Sequence, residues 1–275
     1  MSPKKKRIKK GVVIPLPVFA EASYKRDLLA YVREVKALVV KTIVENQVFI
    51  SSYKYSIRKD DISDELEKAL KMIGFYALTK AGGLIGSLIN RAKSVNQFNR
   101  NAFAKFAQST PENNQNIIDE MKLWAIQNAR LIKTIPERML DKVAEIVYSS
   151  VRSGESPREL AVALQKAFDI SKNRAKIIAR DQISKLNGNI TRARNLSLGI
   201  TEYQWLTSRD ERVRHSHDVL ENKICSWNNA EIYKNNINDG SWKKRLSIKA
   251  TDTHPSQDIM CRCTSIAIIP YGVVV

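Results

Sequence analysis

The segment HPSQDIMCRC, His254 to Cys263, concentrates residues that could do metal or thiol chemistry. Cys261 and Cys263 flank Arg262, and His254 stands seven residues before the first of them. The remaining soft ligands, His215, His217 and Cys225, are also late, and the first 214 residues hold neither His nor Cys. Thiolates and imidazoles are the donors a tetrahedral zinc ion takes. A candidate zinc set is therefore His215, His217, His254, Cys261 and Cys263, with Cys225 as a further soft donor. His-x-His and Cys-x-Cys are weak signals singly, and their confinement to one short region is the stronger one. Metal ligation, a disulfide from Cys225 to one of the pair, and simple packing of small apolar cysteines all stay open.

A second dense stretch runs from Trp205 to Arg214. Asp210, Arg212 and Arg214 could form a structural ion-pair network or bind phosphate through guanidinium forks. A hydrolase would use His217 as general base and Arg262 to hold an anion. No nucleophile pairing, Gly-rich phosphate loop or paired-carboxylate motif accompanies them.

These residues need elements to position them. Thr201–Thr207 alternates and is rich in aromatic and β-branched residues, which predicts a strand. Val213–Leu220 predicts a short helix, 223–225 a short strand, 228–258 loop, and Cys261–Pro270 a last strand. Alternation along that strand would put Cys261 and Cys263 on one face and Arg262 on the other. Upstream the periodicity is helical. Leu28, Val32, Val35, Val39 and Ile43 recur at threes and fours. Asp60–Glu65 reads as an acidic helix start, and Gly82, Gly83 and Gly86 as a break. Phe98, Phe103 and Phe106 fall in a further helix. Thr110-Pro111 caps another, with a break at Ile135-Pro136. Gly154-Glu155-Ser156-Pro157-Arg158-Glu159 has capping-box spacing, Ser171 reads as the cap of a longer helix, and Gly199 ends it. The fold class expected is mostly α with a small α+β C-terminal module and a helical N-terminal region.

Composition narrows the partners. The chain has 275 residues with 46 Lys+Arg against 28 Asp+Glu, a net charge of +18. Such a balance favours a polyanion, nucleic acid before membrane. Six of the first ten residues are Lys or Arg. Residues 1–19 read as a basic flexible arm in which Lys4, Lys5, Lys6, Arg7, Lys9 and Lys10 are candidate nucleic-acid contacts. The start mimics a secretory signal, but Pro15 and Pro17 would break its helix. No apolar run is expected to approach the ~20 residues a spanning helix needs, so no membrane partner is expected.

Several blocks together resemble the phage head morphogenesis family, which includes the Mu protein F-like minor head proteins and the minor capsid protein of phage SPP1. They are Asn128–Pro136, Gly154-Glu155-Ser156, Ala175–Gly188 and Gly199-Ile200. After them come Tyr203, Trp205, Thr207, Asp210, Arg212, Val213, Arg214 and His217, and finally His254-Pro255, Asp258 and Cys261-Arg262-Cys263. The likeness covers roughly 115–270, and its structural motif is Trp205, Thr207, Asp210, Arg212, Arg214, His217, Cys261, Arg262 and Cys263. Glu221-Asn222-Lys223 stands where members commonly have a Gly-containing turn. His215 departs from the Cys-x-x-Cys that some members carry.

The resemblance divides the chain into the arm, a helical region at 20–110, and a head morphogenesis domain at 111–275, helical to about 199 and α+β over 200–275. It implies a non-enzymatic minor head protein of a tailed bacteriophage, located in the virion head interior and in the host cytoplasm during assembly. Its partners would be the portal protein, prohead components and double-stranded DNA held by non-specific phosphate contacts during packaging or ejection. It also implies that His217 and Cys261-Arg262-Cys263 lock the short helix to the last strand, with zinc as a candidate link. The alternative is a metal-dependent nuclease or hydrolase using the C-terminal His/Cys/Arg cluster.

Overall fold

The computed structural model describes residues 9–45, 59–105 and 114–270. The chain forms strand β1 (Lys9–Val13), helix α1 (Val18–Val39) with a π-helical extension Val40–Glu45, then α2 (Lys59–Gly86), α3 (Leu88–Ala104), α4 (Gln115–Ser153) and α5 (Pro157–Ser197). After these come β2 (Glu202–Leu206), the one-turn helix α6 (His215–Asp218), β3 (Ile224–Ser226), β4 (Ile232–Lys234), β5 (Lys243–Lys244), a 3-10 turn Arg245–Ile248, and β6 (Thr264–Ile269). The protein is thus mostly helical, with a small antiparallel sheet whose strands, β1 apart, come from the C-terminal region. Two compact units result. One gathers the described residues of Met1–Glu21, Ile89–Trp124 and Arg180–Val275; the other gathers those of Ala22–Leu88 and Ala125–Ala179. The division falls inside α4 and α5.

The second unit is helical. On α1, Tyr24, Leu28, Tyr31, Val32, Val35 and Val39 are buried at helical spacing, and the Tyr31 hydroxyl donates to the Ala77 carbonyl at 2.9 Å. The expected break at Ile135-Pro136 is absent, and α4 runs straight through Pro136. Proline inside a helix costs roughly 3 kcal/mol. Ile132, Ile135, Met139, Val143 and Val147 are all buried along the same helix, each contributing about 1.5 to 3 kcal/mol, so burial wins. Ser171 likewise caps nothing. It lies inside α5 and its hydroxyl donates back to the Ala167 carbonyl at 3.1 Å, a bond helices tolerate.

The junction between α4 and α5 matches expectation. Gly154 takes φ +67°, which suits a residue without Cβ. The Ser156 amide donates to Glu159 Oε2 at 2.7 Å and the Glu159 amide to Ser156 Oγ at 3.3 Å, the reciprocal capping box. α2 passes through Gly82 and Gly83 and ends at Gly86. Contrary to expectation, the stretch Asp64–Ala104 contains an 18-residue window long and apolar enough to cross a membrane by length and composition. Met72 and Phe75 on α2 are exposed.

The first unit holds the sheet, in the order β1-β6-β2-β3-β4-β5. β2 is paired on both sides, with Tyr203 opposite Cys225 and Ala267, and Trp205 opposite Ser265. Tyr203 and Trp205 share one face by the period of two and are fully buried with Leu220, Trp227, Tyr233, Cys225, Cys261 and Cys263. β1 makes Lys9–Val13, a part of the stretch read as a flexible arm, a strand. As the edge strand, β1 pairs Lys9 and Lys10 with Ile269 and Ile268 of β6, while Lys4, Lys5, Lys6 and Arg7 lie outside the described residues, as do Phe106, Thr110 and Pro111. The supposed loop 228–258 contains β4, β5 and the 3-10 turn; these pieces are too short for periodicity to reveal.

A buried polar network ties α3 to α5 within this unit. Asn99 Nδ2 donates to Asn187 Oδ1 at 2.9 Å and to Thr191 Oγ1 at 2.8 Å, and Arg194 Nε donates to Asn99 Oδ1 at 3.0 Å. Buried amides are costly unless paired in this way. At Gly188 the helix approaches the loop before β6, where an added Cβ would sit 2.9 Å from Ser256 Cβ and 3.1 Å from the Pro255 carbonyl oxygen.

Candidate functional site

Cys261 and Cys263 precede β6 and are not part of it, so their common direction does not come from strand alternation. It comes from the loop's anchors. Ser184 on α5 donates to the Cys261 carbonyl at 3.3 Å, and Ser256 donates to the Cys263 carbonyl at 3.1 Å. Met260 has φ +60°, and its amide donates to Asp181 Oδ1 at 2.9 Å. The Cys261 amide donates to the Asp258 carbonyl at 3.0 Å. These bonds hold both sulfurs toward the single turn of α6.

There His217, 2% exposed, presents both ring nitrogens to partners. Nδ1 lies 3.5 Å from Cys261 Sγ and 3.4 Å from Cys263 Sγ. Nε2 lies 2.7 Å from Asp258 Oδ2, and the Thr251 hydroxyl donates to the same carboxylate oxygen at 3.1 Å. The Trp205 ring meets the imidazole edge-on, with centroids 5.7 Å apart, and its side chain also interacts with the Cys263 sulfur, which partly offsets the upward push on that thiol.

The electrostatics favour one negative charge on the sulfur pair. A hydrogen bond from Cys263, opposed by burial and aided by His217, pulls the Cys261 thiol down, and the Cys263 thiol is pushed up because it donates to Cys261 and is buried. Burial alone would lower His217, but Cys261 and Asp258 outweigh it and raise the imidazole above its ordinary value.

Of the candidate metal set, the fold brings together His217, Cys261 and Cys263, whose ligand atoms all lie within 4.8 Å of one another. It does not bring His215 or His254 to them. His215 is exposed on α6. His254 is buried against Tyr203, with Nδ1 3.2 Å from the phenol oxygen, and burial with the nearby charges of Arg192 and Arg245 lowers it to about 3. Cys225 sits across the ladder from Tyr203 with its thiol pushed up to about 11 by burial.

The remaining motif residues frame this cluster. Arg262 pairs with Asp210, whose Oδ1 also accepts the Arg212 amide at 3.1 Å. Arg214 donates to the Ile259 carbonyl at 2.7 Å. The Thr207 amide donates to Glu221 Oε2 at 2.6 Å, and Glu221 pairs with Arg209 at 2.9 Å. The arginines therefore brace the loop that carries the cysteines. A cavity of about 170 Å³ opens beside the sulfurs, lined also by Arg180, Arg212 and Arg214.

Residues 141–266 match the family described as Phage Mu protein F like protein. They form a Phage Mu protein F like domain. The Mu F like domain contains the whole His217, Cys261 and Cys263 cluster and the ion pairs around it. A 157-residue stretch of the chain is 33% identical to an uncharacterized protein of Haemophilus influenzae strain Rd, covering 57% of this chain and 31% of that relative. The chain thus spans under a third of the relative's length. No solved structure matches.

Sequence reasoning named His217 and the cysteine pair but missed their supports. Asp258 appeared only inside the family pattern. Asp181 and Ser184 stood there too, within Ala175–Gly188, while Thr251 and Ser256 carry no signal, because a hydroxyl at a distant position announces nothing until the chain folds. Arg245 was also missed. It is 1% exposed and donates to the carbonyls of Ile232, Thr251 and Thr253 and to the Tyr203 hydroxyl.

Proposed function

We propose that this protein is a minor head component of a tailed bacteriophage, contacting the portal and prohead and lying against packaged double-stranded DNA. The match of residues 141–266 to the Phage Mu protein F like family carries the reading. The charge supports it, since +18 on 275 residues suits an interior filled with a polyanion. Contacts would go to backbone phosphates and be independent of sequence. The Mu F like domain then acts as a rigid assembly module. Its basic side chains brace the cysteine loop, and the role asks for no chemistry from them.

Quantitative mass spectrometry of purified particles from the phage or prophage encoding this chain tests the proposal, with co-purification of the portal protein from infected cells. A few copies per particle and capture of the portal are expected. Absence from particles together with no portal capture overturns it. DNA cleavage by the purified chain, abolished by a chelator, would replace it with a nuclease.

A further inference from the structure

We infer that His217 Nδ1, Cys261 Sγ and Cys263 Sγ bind one zinc ion, leaving its fourth coordination position open to solvent in the cavity beside them. The inference rests on the geometry of the cluster and is independent of the virion reading.

The nitrogen–sulfur spacing is that of a tetrahedral ion. With Zn–S of about 2.3 Å and Zn–N of about 2.0–2.1 Å, nitrogen and sulfur on two corners stand about 3.5 Å apart. His217 Nδ1 lies 3.5 and 3.4 Å from the two sulfurs. Two thiols crowding one imidazole nitrogen is an awkward arrangement for hydrogen bonding alone, because that nitrogen has one proton or one lone pair to share. A cation placed among the three satisfies all of them. The second layer also fits. Asp258 holds Nε2 at 2.7 Å and is itself held by Thr251, the carboxylate–histidine–metal arrangement that fixes the ring and raises its basicity.

The ligand set selects the metal. Two thiolates and one imidazole are soft to borderline donors, which exclude calcium and magnesium and favour zinc. Two thiolate charges also offset the dication within a buried, arginine-framed site. All three residues are nearly inaccessible, at 2%, 5% and 3% exposed, and the backbones of the two cysteines are already fastened by Ser184, Ser256 and Asp258. Such a site is organised before the metal arrives.

Among the described residues, no fourth His, Cys, Asp or Glu joins the group. The cavity of about 170 Å³ touches all three ligands and has room for water. Arg214 and Arg262 beside it are engaged by Ile259 and Asp210, and a guanidinium is not a ligand. The fourth ligand is therefore an exchangeable water or hydroxide.

The test is elemental analysis of the purified full chain, followed by X-ray absorption at the zinc edge. One zinc per chain with a shell of two sulfurs and two nitrogen or oxygen neighbours is expected. Cys263→Ser should lose most of the metal while Cys225→Ser keeps it. Because Cys263→Ser could misfold, the wild-type chain is also stripped with a chelator under reducing conditions and titrated with cobalt(II). Visible tetrahedral d–d bands and thiolate charge-transfer bands, saturating at one equivalent, are expected. The inference is overturned by a metal-free wild type without cobalt bands, by a disulfide between Cys261 and Cys263 in the freshly isolated protein, or by a sulfur count other than two. Alkylation of Cys261 alone at a rate unchanged by added zinc would also overturn it, pointing to a thiol paired with His217 and Asp258.

Discussion

The Nε2 atom of His217 sits 2.7 Å from Asp258 Oδ2, across 41 residues of sequence. This one contact sets the ring's tautomer and turns Nδ1 toward the two sulfurs. Asp258 is a positioning residue. Replacing it with Ala should weaken zinc binding by about 10- to 100-fold, read by competition with a chromophoric chelator. Asp258→Asn, which preserves the shape, should fall between Ala and wild type. Equal affinity in all three proteins would show that the carboxylate does nothing for the ring.

His254 predicts an acid-sensitive fold. Its folded value is held near 3 by burial and by the charges of Arg192 and Arg245, below the ordinary value of about 6.5. Between these values the unfolded chain binds the proton and the folded one does not, so stability falls as pH drops from about 6.5 toward 3. The loss is on the order of a few kcal/mol. Denaturant titrations at a series of pH values should show a shallower acid slope for His254→Gln than for wild type. Parallel slopes would remove His254 as the cause.

Gly188 and Gly82 should respond oppositely to alanine. At Gly188 the new Cβ meets Ser256 Cβ at 2.9 Å and the Pro255 carbonyl at 3.1 Å, and a backbone atom cannot swing aside. Overpacking of about 1 to 3 kcal/mol then exceeds the roughly 1 kcal/mol that Ala gains in a helix. At Gly82 nothing lies within 4 Å of the added Cβ, so Gly82→Ala should stabilise by up to about 1 kcal/mol. Melting temperatures of the two variants decide it, and a stabilised Gly188→Ala would mean the loop before β6 can retreat from α5.

Ser156→Ala removes the cap of α5 while leaving Glu159 in place. A loss of about 1 kcal/mol is expected, seen as a shift in the denaturation midpoint. Ser156→Asp should recover most of it, since Asp accepts from the same amide. An unchanged midpoint for Ser156→Ala would mean that packing alone sets where α5 begins.

Arg245→Met should be among the most damaging single changes in the sheet unit. It strands the Ile232, Thr251 and Thr253 carbonyls and takes one of two partners from the Tyr203 hydroxyl, a cost of about 3 kcal/mol or more. Arg245→Lys should not rescue it, because one ammonium cannot reach the fork of acceptors. Thermal unfolding of the three proteins is the check.

What the amino-acid sequence determined by itself was local. Leu28, Val32, Val35 and Val39 mark a helix because a 3.6-residue period puts them on one side. Ser156 and Glu159 mark a helix start because two nearby amides need acceptors. Tyr203 and Trp205 mark a strand by alternation, and the late crowding of His217, Cys261 and Cys263 was visible as composition. Tertiary structure decided the rest, for reasons that are not local. Burial of Ile132, Ile135 and Met139 carries α4 through Pro136, against the proline's own preference. Pairing with β6 makes Lys9–Val13 a strand although its composition reads as a solvated arm. Three of the six soft ligands converge because Ser184, Asp181 and Ser256 hold one loop against α5. His215 points to solvent two residues from His217 because a single helical turn buries only one of its sides.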